Sequence, residues 1–279
     1  MELTQETIER VAAAALAEDI GAGDATSEAL VPAGSRCRAQ LQLEERGVVC
    51  GVPVAAAVFR ALDPTARIEP AFPEGALVTE TPAVVAEIEG DARAVLSGER
   101  VAVNLVGRLC GVATLTRTFV DLVDGTAATI LDTRKTTPGL RALEKYAVRC
   151  GGGSNHRAGL DDAILVKENH LRLAGGIAAA LAVLAERNGA LPVEVEAETL
   201  AEVQEALGAG AERILLDNMS PAETAAAVAL VAGRAKLESS GGISPETVRA
   251  YAETGVDFVS VGALTHSAPV LDLSLQVRR

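Results

Sequence analysis

Thr129-Ile130-Leu131-Asp132-Thr133-Arg134-Lys135 and Ala163-Ile164-Leu165-Val166-Lys167 follow one plan: a short apolar run of strand-forming residues ends in cations, and a helical segment comes next. The plan recurs. Val193 to Val195 runs into Glu196, Arg213 to Leu216 into Asp217, Ala235 to Leu237 leads to Ser239 and Ser240, and Phe258 to Val261 into Gly262. Six short strands alternating with helices predict parallel β/α packing with right-handed crossovers. The position of the polar groups chooses between an open sheet and a barrel. In a β/α barrel the carboxyl ends of all strands meet at one mouth, so residues far apart in sequence become one site. We therefore expect a β/α barrel, complete or open, over residues 111–269.

The residues before it have another character. Leu3 to Ala17 reads as an amphipathic helix starting at Thr4, with a turn-rich break from Glu18 to Asp24. Cys37, Ala39, Leu41 and Leu43 alternate with Arg36, Arg38, Gln40, Gln42 and Glu44, the period of a strand with one buried face. Val48-Val49, Ala66 to Ala71 and Val84 to Glu89 are further strands, with a helix from Val54 to Leu62. Residues 1–110 are thus expected to form an α+β sandwich, with the tail 270–279 packing on it. Two helices, Glu99 to Cys110 and Val112 to Leu122, are expected to follow.

Composition narrows the function. The 279 residues carry a net charge of −13, yet Arg134 to Arg172 holds eight Lys and Arg against four Asp and Glu. Local basic character favours a small anionic substrate over nucleic acid, which needs an extended basic face. Met1 to Glu6 lacks the order of a signal peptide, and no apolar run approaches the roughly 18 residues of a membrane span, so a cytoplasmic protein is expected. Cys37, Cys50, Cys110 and Cys150 lie far apart and form no Cys-x-x-Cys pair, which supports neither a zinc site nor a disulfide framework.

Candidate site residues follow from the strand ends. Arg134, Lys135, Arg157 and Lys167 form a concentration of fixed cations suited to an anion. Ser239-Ser240-Gly241-Gly242 and Val261-Gly262-Ala263, in the last two β/α turns, let backbone N–H groups approach a phosphate. Glu196 and Asp217 end apolar strands and could bind sugar hydroxyls or Mg²⁺. Each has a plainer reading. Arg141, Lys145 and Arg149, four residues apart on one helix, read as a solvated face. His156, after a glycine triplet and before Arg157, faces a ligand or is a hydrogen-bonded structural histidine. In Glu194-Val195-Glu196 one carboxylate is expected to point into the barrel and the other out.

The segments Asp132 to Arg141, Gly151 to Arg157, Leu165 to His170, Leu215 to Asn218 and Gly262 to His266 resemble the quinolinate phosphoribosyltransferase family. The likeness runs from Glu18 to Asp272, and no motif residue is missing. It implies transfer of a phosphoribosyl group from 5-phosphoribosyl 1-diphosphate to quinolinate with decarboxylation, giving nicotinate mononucleotide for NAD synthesis. It also implies that Arg134, Arg157 and Arg100 hold the two carboxylates of quinolinate, with Thr133 and His156 beside them. Lys135 and Lys167 would lie near both substrates. Glu196 and Asp217 would hold the ribose hydroxyls or Mg²⁺, and Ser240, Gly241, Gly242, Val261, Gly262, Ala263 and His266 the phosphate end. The family forms homodimers or higher homo-oligomers, and the resemblance places Arg100 in a site shared between subunits. Three alternatives predict other outcomes: a paralogue encoded with molybdate transporters that takes another acceptor, a barrel lyase using Lys167 as a Schiff-base nucleophile, and a phosphosugar-binding protein without turnover.

Overall fold

A computed structural model describes residues 3–187 and 191–278. In chain order the elements are α1 (Gln5–Ile20), α2 (Ala25–Leu30), β1 (Arg36–Leu43), β2 (Gly47–Val48), α3 (Val52–Leu62), β3 (Arg67–Pro70), β4 (Leu77–Val78), β5 (Ala83–Asp91) and α4 (Ala92–Leu122). There follow β6 (Thr129–Leu131), α5 (Arg141–Cys150), β7 (Ile164–Val166), α6 (Glu168–Ala174), α7 (Ile177–Arg187), β8 (Val193–Ala197), α8 (Leu200–Gly208), β9 (Arg213–Asp217) and α9 (Pro221–Val231). The chain finishes with β10 (Lys236–Ser240), α10 (Val248–Ala252), β11 (Phe258–Ser260), α11 (Ala263–His266) and β12 (Leu273–Arg278). It divides into two compact units. The first comprises residues 1–117, 136–152 and 264–279, and the second residues 118–135 and 153–263.

The first unit is built on an antiparallel sheet in the order β12-β1-β5-β3. Strand β1 buries Ala39, Leu41 and Leu43 on one face, as its alternation predicts. Thr4 caps α1 by accepting the Thr7 N–H, and the helix then runs three residues into the break expected from Glu18 to Asp24, ending at Ile20. The two helices expected after Glu99 are one, the 31-residue α4. Gly111, which separated them in the sequence reading, serves close approach instead: a Cβ there would lie 1.8 Å from the Pro269 carbonyl oxygen. Gly107 makes a similar allowance for the Leu271 carbonyl, and its own carbonyl accepts the Leu271 N–H at 3.1 Å.

Helix α5 also departs from its sequence reading. Lys145 is fully buried, so the spacing of Arg141, Lys145 and Arg149 does not mark a solvated face. Fully buried beside it, Glu144 accepts bonds from Arg108 Nε and Nη2 at 3.1 and 2.9 Å and from Thr137 N and Oγ1 at 2.9 and 2.6 Å. Removing one partner of such a pair leaves the other charge in a poorly solvated place. Glu144→Ala should destabilise the first unit by roughly 3–5 kcal/mol, read as a lowered urea midpoint. A midpoint within error of the parent protein would show that Arg108 finds other partners.

The four cysteines are free thiols. Cys50 and Cys110 are buried, and desolvation pushes the Cys110 thiol up to about 12. No helix among the described residues is long and apolar enough to cross a membrane.

The second unit carries the β/α repeat. Its six parallel strands lie in the order β6-β11-β10-β9-β8-β7, each overlapping its predicted run, with β10 reaching three residues further, to Ser240. Beyond β6 the chain returns after the glycine triplet: Ser154 bridges in parallel to Leu131, with its N–H on the Ile130 carbonyl and its carbonyl accepting the Asp132 N–H. The α/β class is therefore the one expected, a small-sheet N-terminal unit followed by a parallel β/α barrel.

Candidate active site

Strand pleat puts alternate residues on one face, so the inward positions of the barrel strands can be read as layers. Arg213, Leu215 and Asp217 share a face of β9, Glu194 and Glu196 a face of β8, Glu238 and Ser240 a face of β10. In register, Ser240 stands opposite Asp217 and Leu215 opposite Glu196. At the carboxyl ends of these strands lies a cavity of about 320 Å³ lined by Thr133, Arg134, Lys135, His156, Arg157, Lys167, Glu196, Asp217 and Ser240, together with Leu165, Leu215, Glu238 and Ser260. Nine residues singled out from the sequence thus meet in one place.

One side of the cavity is cationic. Thr133 closes the turn after β6 by accepting the Lys135 N–H at 3.0 Å, and Arg157 Nη1 donates to the Ala163 carbonyl at 3.0 Å. Burial and then the neighbouring Arg134 charge lower the pKa of Arg157 below the usual arginine value. Two guanidiniums are thus held close enough to oppose each other, an arrangement that a bound anion relieves.

The other side is acidic. Glu196 Oε2 is 3.6 Å from Lys167 Nζ, and its Oε1 accepts the Glu168 N–H at 3.3 Å. Asp217 Oδ2 accepts from Asn218 Nδ2 at 2.7 Å, while the Asn218 N–H donates to the Ser240 carbonyl at 2.9 Å. Asn218 takes the left-handed conformation, φ 56°, and its side chain comes so close to Gly241 that a Cβ on that glycine would lie 2.2 Å from Asn218 Oδ1. Glu196, Glu198 and Asp217 can bring one oxygen each within 4.8 Å of one another. The charge of Glu168, followed by burial and the charges of Glu202, Asp217 and Glu196, raises the pKa of Glu198.

Other candidates are not among the lining residues. Gly241 and Gly242 have positive φ in the turn after β10. Val261 extends β11 by donating to the Leu131 carbonyl at 2.9 Å, and Gly262 and Ala263 lead into α11. Arg100, exposed on α4, and His266, at the end of α11 with Nδ1 2.6 Å from Ser267 Oγ, belong to the first unit.

The model of the quinolinate phosphoribosyl transferase N-terminal domain matches residues 24–110, and that of the C-terminal domain residues 112–276. The chain belongs to the quinolinate phosphoribosyltransferase family. A relative from Synechocystis, named a probable nicotinate-nucleotide pyrophosphorylase (carboxylating), is 45% identical over 95% of this chain and 90% of its own length. One of the same name from Bacillus subtilis is 42% identical over 93% of this chain and 90% of its own length. The structure of the nicotinate-nucleotide pyrophosphorylase from Francisella tularensis superposes with a TM-score of 0.93 at 38% identity, covering 99% of this chain and 98% of that one.

Within this member of the quinolinate phosphoribosyltransferase family, the sequence reading missed several residues that hold the cavity lining in place. Asp132, fully buried, accepts the Asn155 side-chain amide at 2.6 Å and the His156 N–H at 2.9 Å, so one carboxylate joins the Thr133-Arg134-Lys135 turn to the Asn155-His156-Arg157 segment. Glu194 and Glu196 both face the barrel interior, which corrects the expectation that one points out. Residues two apart on a strand share a face, and the two differ in depth instead: Glu194 is 5% exposed beneath His156, Glu196 stands at the mouth. That signal was available in the sequence.

Proposed function

We propose that the protein transfers the phosphoribosyl group of 5-phosphoribosyl 1-diphosphate to quinolinate, releasing diphosphate and CO₂ and giving nicotinate mononucleotide for NAD synthesis. The crowded guanidiniums of Arg134 and Arg157 carry this reading. Planar guanidinium forks suit the two adjacent carboxylates of quinolinate, with Thr133 and His156 beside them and Lys135 and Lys167 completing the positive wall. Glu196 and Asp217 suit the hydroxyl-bearing ribose, and the positive-φ turn at Ser240, Gly241 and Gly242, with Val261, Gly262, Ala263 and His266, the phosphate end.

The chemistry asks for these two walls. The ring nitrogen forms a bond to the anomeric carbon as the carbon–oxygen bond to diphosphate breaks, and the electron pair leaves with diphosphate. Positive charge develops at the anomeric carbon, where Glu196 and Asp217 offer negative charge fixed in advance. The nitrogen, now quaternary, accepts the electrons left when the adjacent carboxylate departs as CO₂, and a proton takes its place on the ring. Glu196, Asp217 and the nearby Glu198 are hard oxygen donors that fit Mg²⁺, which when bound neutralises diphosphate. Release of one CO₂ per diphosphate from carboxyl-labelled quinolinate tests the reading. Diphosphate release without CO₂, or only with another acceptor, would overturn it.

The same reading places the protein in the cytoplasm as a homodimer or higher homo-oligomer in which Arg100 of one chain completes the other chain's site. Mixing inactive Arg100→Ala with inactive Lys167→Ala chains should then restore activity, because some mixed dimers hold one intact site. No recovery after subunit exchange confirmed by mass would place Arg100 outside a shared site.

A further inference from the structure

Beneath the cavity lies a second polar layer, which meets the lining at His156 and Glu238 and extends below it to Glu194 and Arg213. Glu194 Oε1 accepts from Arg213 Nε at 2.8 Å, and Glu238 Oε2 accepts from Arg213 Nη2, so one guanidinium bridges two carboxylates. Phe258 covers the guanidinium, its ring centre 4.3 Å from Cζ. Glu194 and Glu238 are 5% and 0% exposed, and Arg213 is not among the residues lining the cavity.

Their upper neighbour is His156. Its Nδ1 lies 2.7 Å from the Arg157 backbone nitrogen and accepts that N–H, so Nδ1 carries no proton. The ring proton is therefore on Nε2, which donates to Glu194 Oε2 at 3.0 Å and stands 3.5 Å from Glu238 Oε1. This assignment follows from the partners alone, since a backbone N–H can only donate.

We infer that Arg213 is a positioning residue for acceptor binding: by holding Glu194 and Glu238 apart and oriented, it fixes His156 in its Nε2–H form and with it the Asn155-His156-Arg157 segment. The geometry leaves little slack. Without the guanidinium, two buried carboxylates would face each other and one imidazole, and the favoured response is proton uptake or rotation of a carboxylate away from His156. The Glu238 carboxyl is already raised by burial and by the Glu194 charge, which the Arg213 and His156 contacts partly offset. A shift of His156 reaches Arg157 through the Nδ1 bond and Asp132 through the His156 N–H, and Asp132 precedes Thr133-Arg134-Lys135. Arg213 would thereby act on both cation-bearing segments without touching the ligand.

The inference rests on the acceptor reading given above, so its test has one readout that does not depend on turnover. Nitrogen-15 NMR of the parent protein should show His156 as the Nε2–H tautomer. In Arg213→Met that single form should be lost, and KM for quinolinate should rise about ten-fold or more while KM for phosphoribosyl diphosphate changes by less than about two-fold. Glu194→Gln is the second variant if Arg213→Met fails to fold, because the carboxamide keeps the volume but turns an NH₂ toward either His156 or Arg213. It should move the tautomer and the quinolinate KM in the same direction. Arg213→Lys should recover only part of the loss, since an ammonium cannot span both carboxylates with a planar fork. An Nδ1–H tautomer in the parent, or folded variants with unchanged tautomer and KM, overturns the inference. An Nε2–H tautomer lost in Arg213→Met, in a protein that does not consume quinolinate, would leave the barrel floor as described and fail the functional reading instead.

Discussion

Nicotinate offered in place of quinolinate should react about four orders of magnitude more slowly, judged by kcat/KM for diphosphate release. The cavity of about 320 Å³ that we propose takes the acceptor is lined by Arg134 and Arg157 with Lys135 and Lys167. A site arranged for two carboxylates is left with an uncompensated cation when one is missing, and that penalty falls on the wrong substrate alone. The lowered pKa of Arg157 indicates that its surroundings resist the charge even before a substrate binds. Loss of the 2-carboxylate also removes the group that departs. Comparable turnover of nicotinate would remove the assignment of a dicarboxylate acceptor, and with it the reason for so many cations on one wall.

Glu196→Gln and Asp217→Asn should each lower kcat by about 10²–10³ with little change in thermal stability. Both substitutions preserve volume and remove one negative charge. The structural contacts of these acids are light: Glu196 meets Lys167 at 3.6 Å and one backbone N–H, and Asp217 meets the amide of its neighbour Asn218. On the proposed reading these acids face the anomeric carbon, where their charge is felt most when that carbon turns positive, so the loss should appear in kcat more than in KM. Melting curves recorded beside the rates separate the readings. A fall in melting temperature that tracks the fall in rate would make the two acids structural.

Where chemistry sits at strand ends, the sequence spoke clearly. The barrel period needs only short apolar runs at regular intervals, and Arg134, Lys167, Glu196 and Asp217 each close such a run, so the cavity could be assembled on paper. Residues whose task depends on depth were harder to see. Asp132 has no role of its own in the sequence reading, although it is the buried tie between two segments that lie on either side of α5 in sequence. Arg213 stood at the start of a strand, where a charge is ordinary, and only the convergence of β8, β9 and β10 brings it to Glu194 and Glu238. Lys145 failed for a related reason: helical spacing locates a face but does not say what covers it. Gly111 in α4 read as a break because a sequence cannot show that another stretch of backbone passes beside it.

That passing backbone bears on the order in which a chain still leaving the ribosome can close. Residues 269–271 rest against Gly107 and Gly111, and β12 pairs with β1, with Arg278 reaching Gln40 across a separation of 238 residues. The barrel segment 153–263 is synthesised before residues 269–271 and β12 exist. The unit that begins the chain is thus the one that finishes last. Until then β1 presents an open edge and α4 an empty glycine notch, so a nascent chain carries its exposed sheet edge until residues 273–278 have been made.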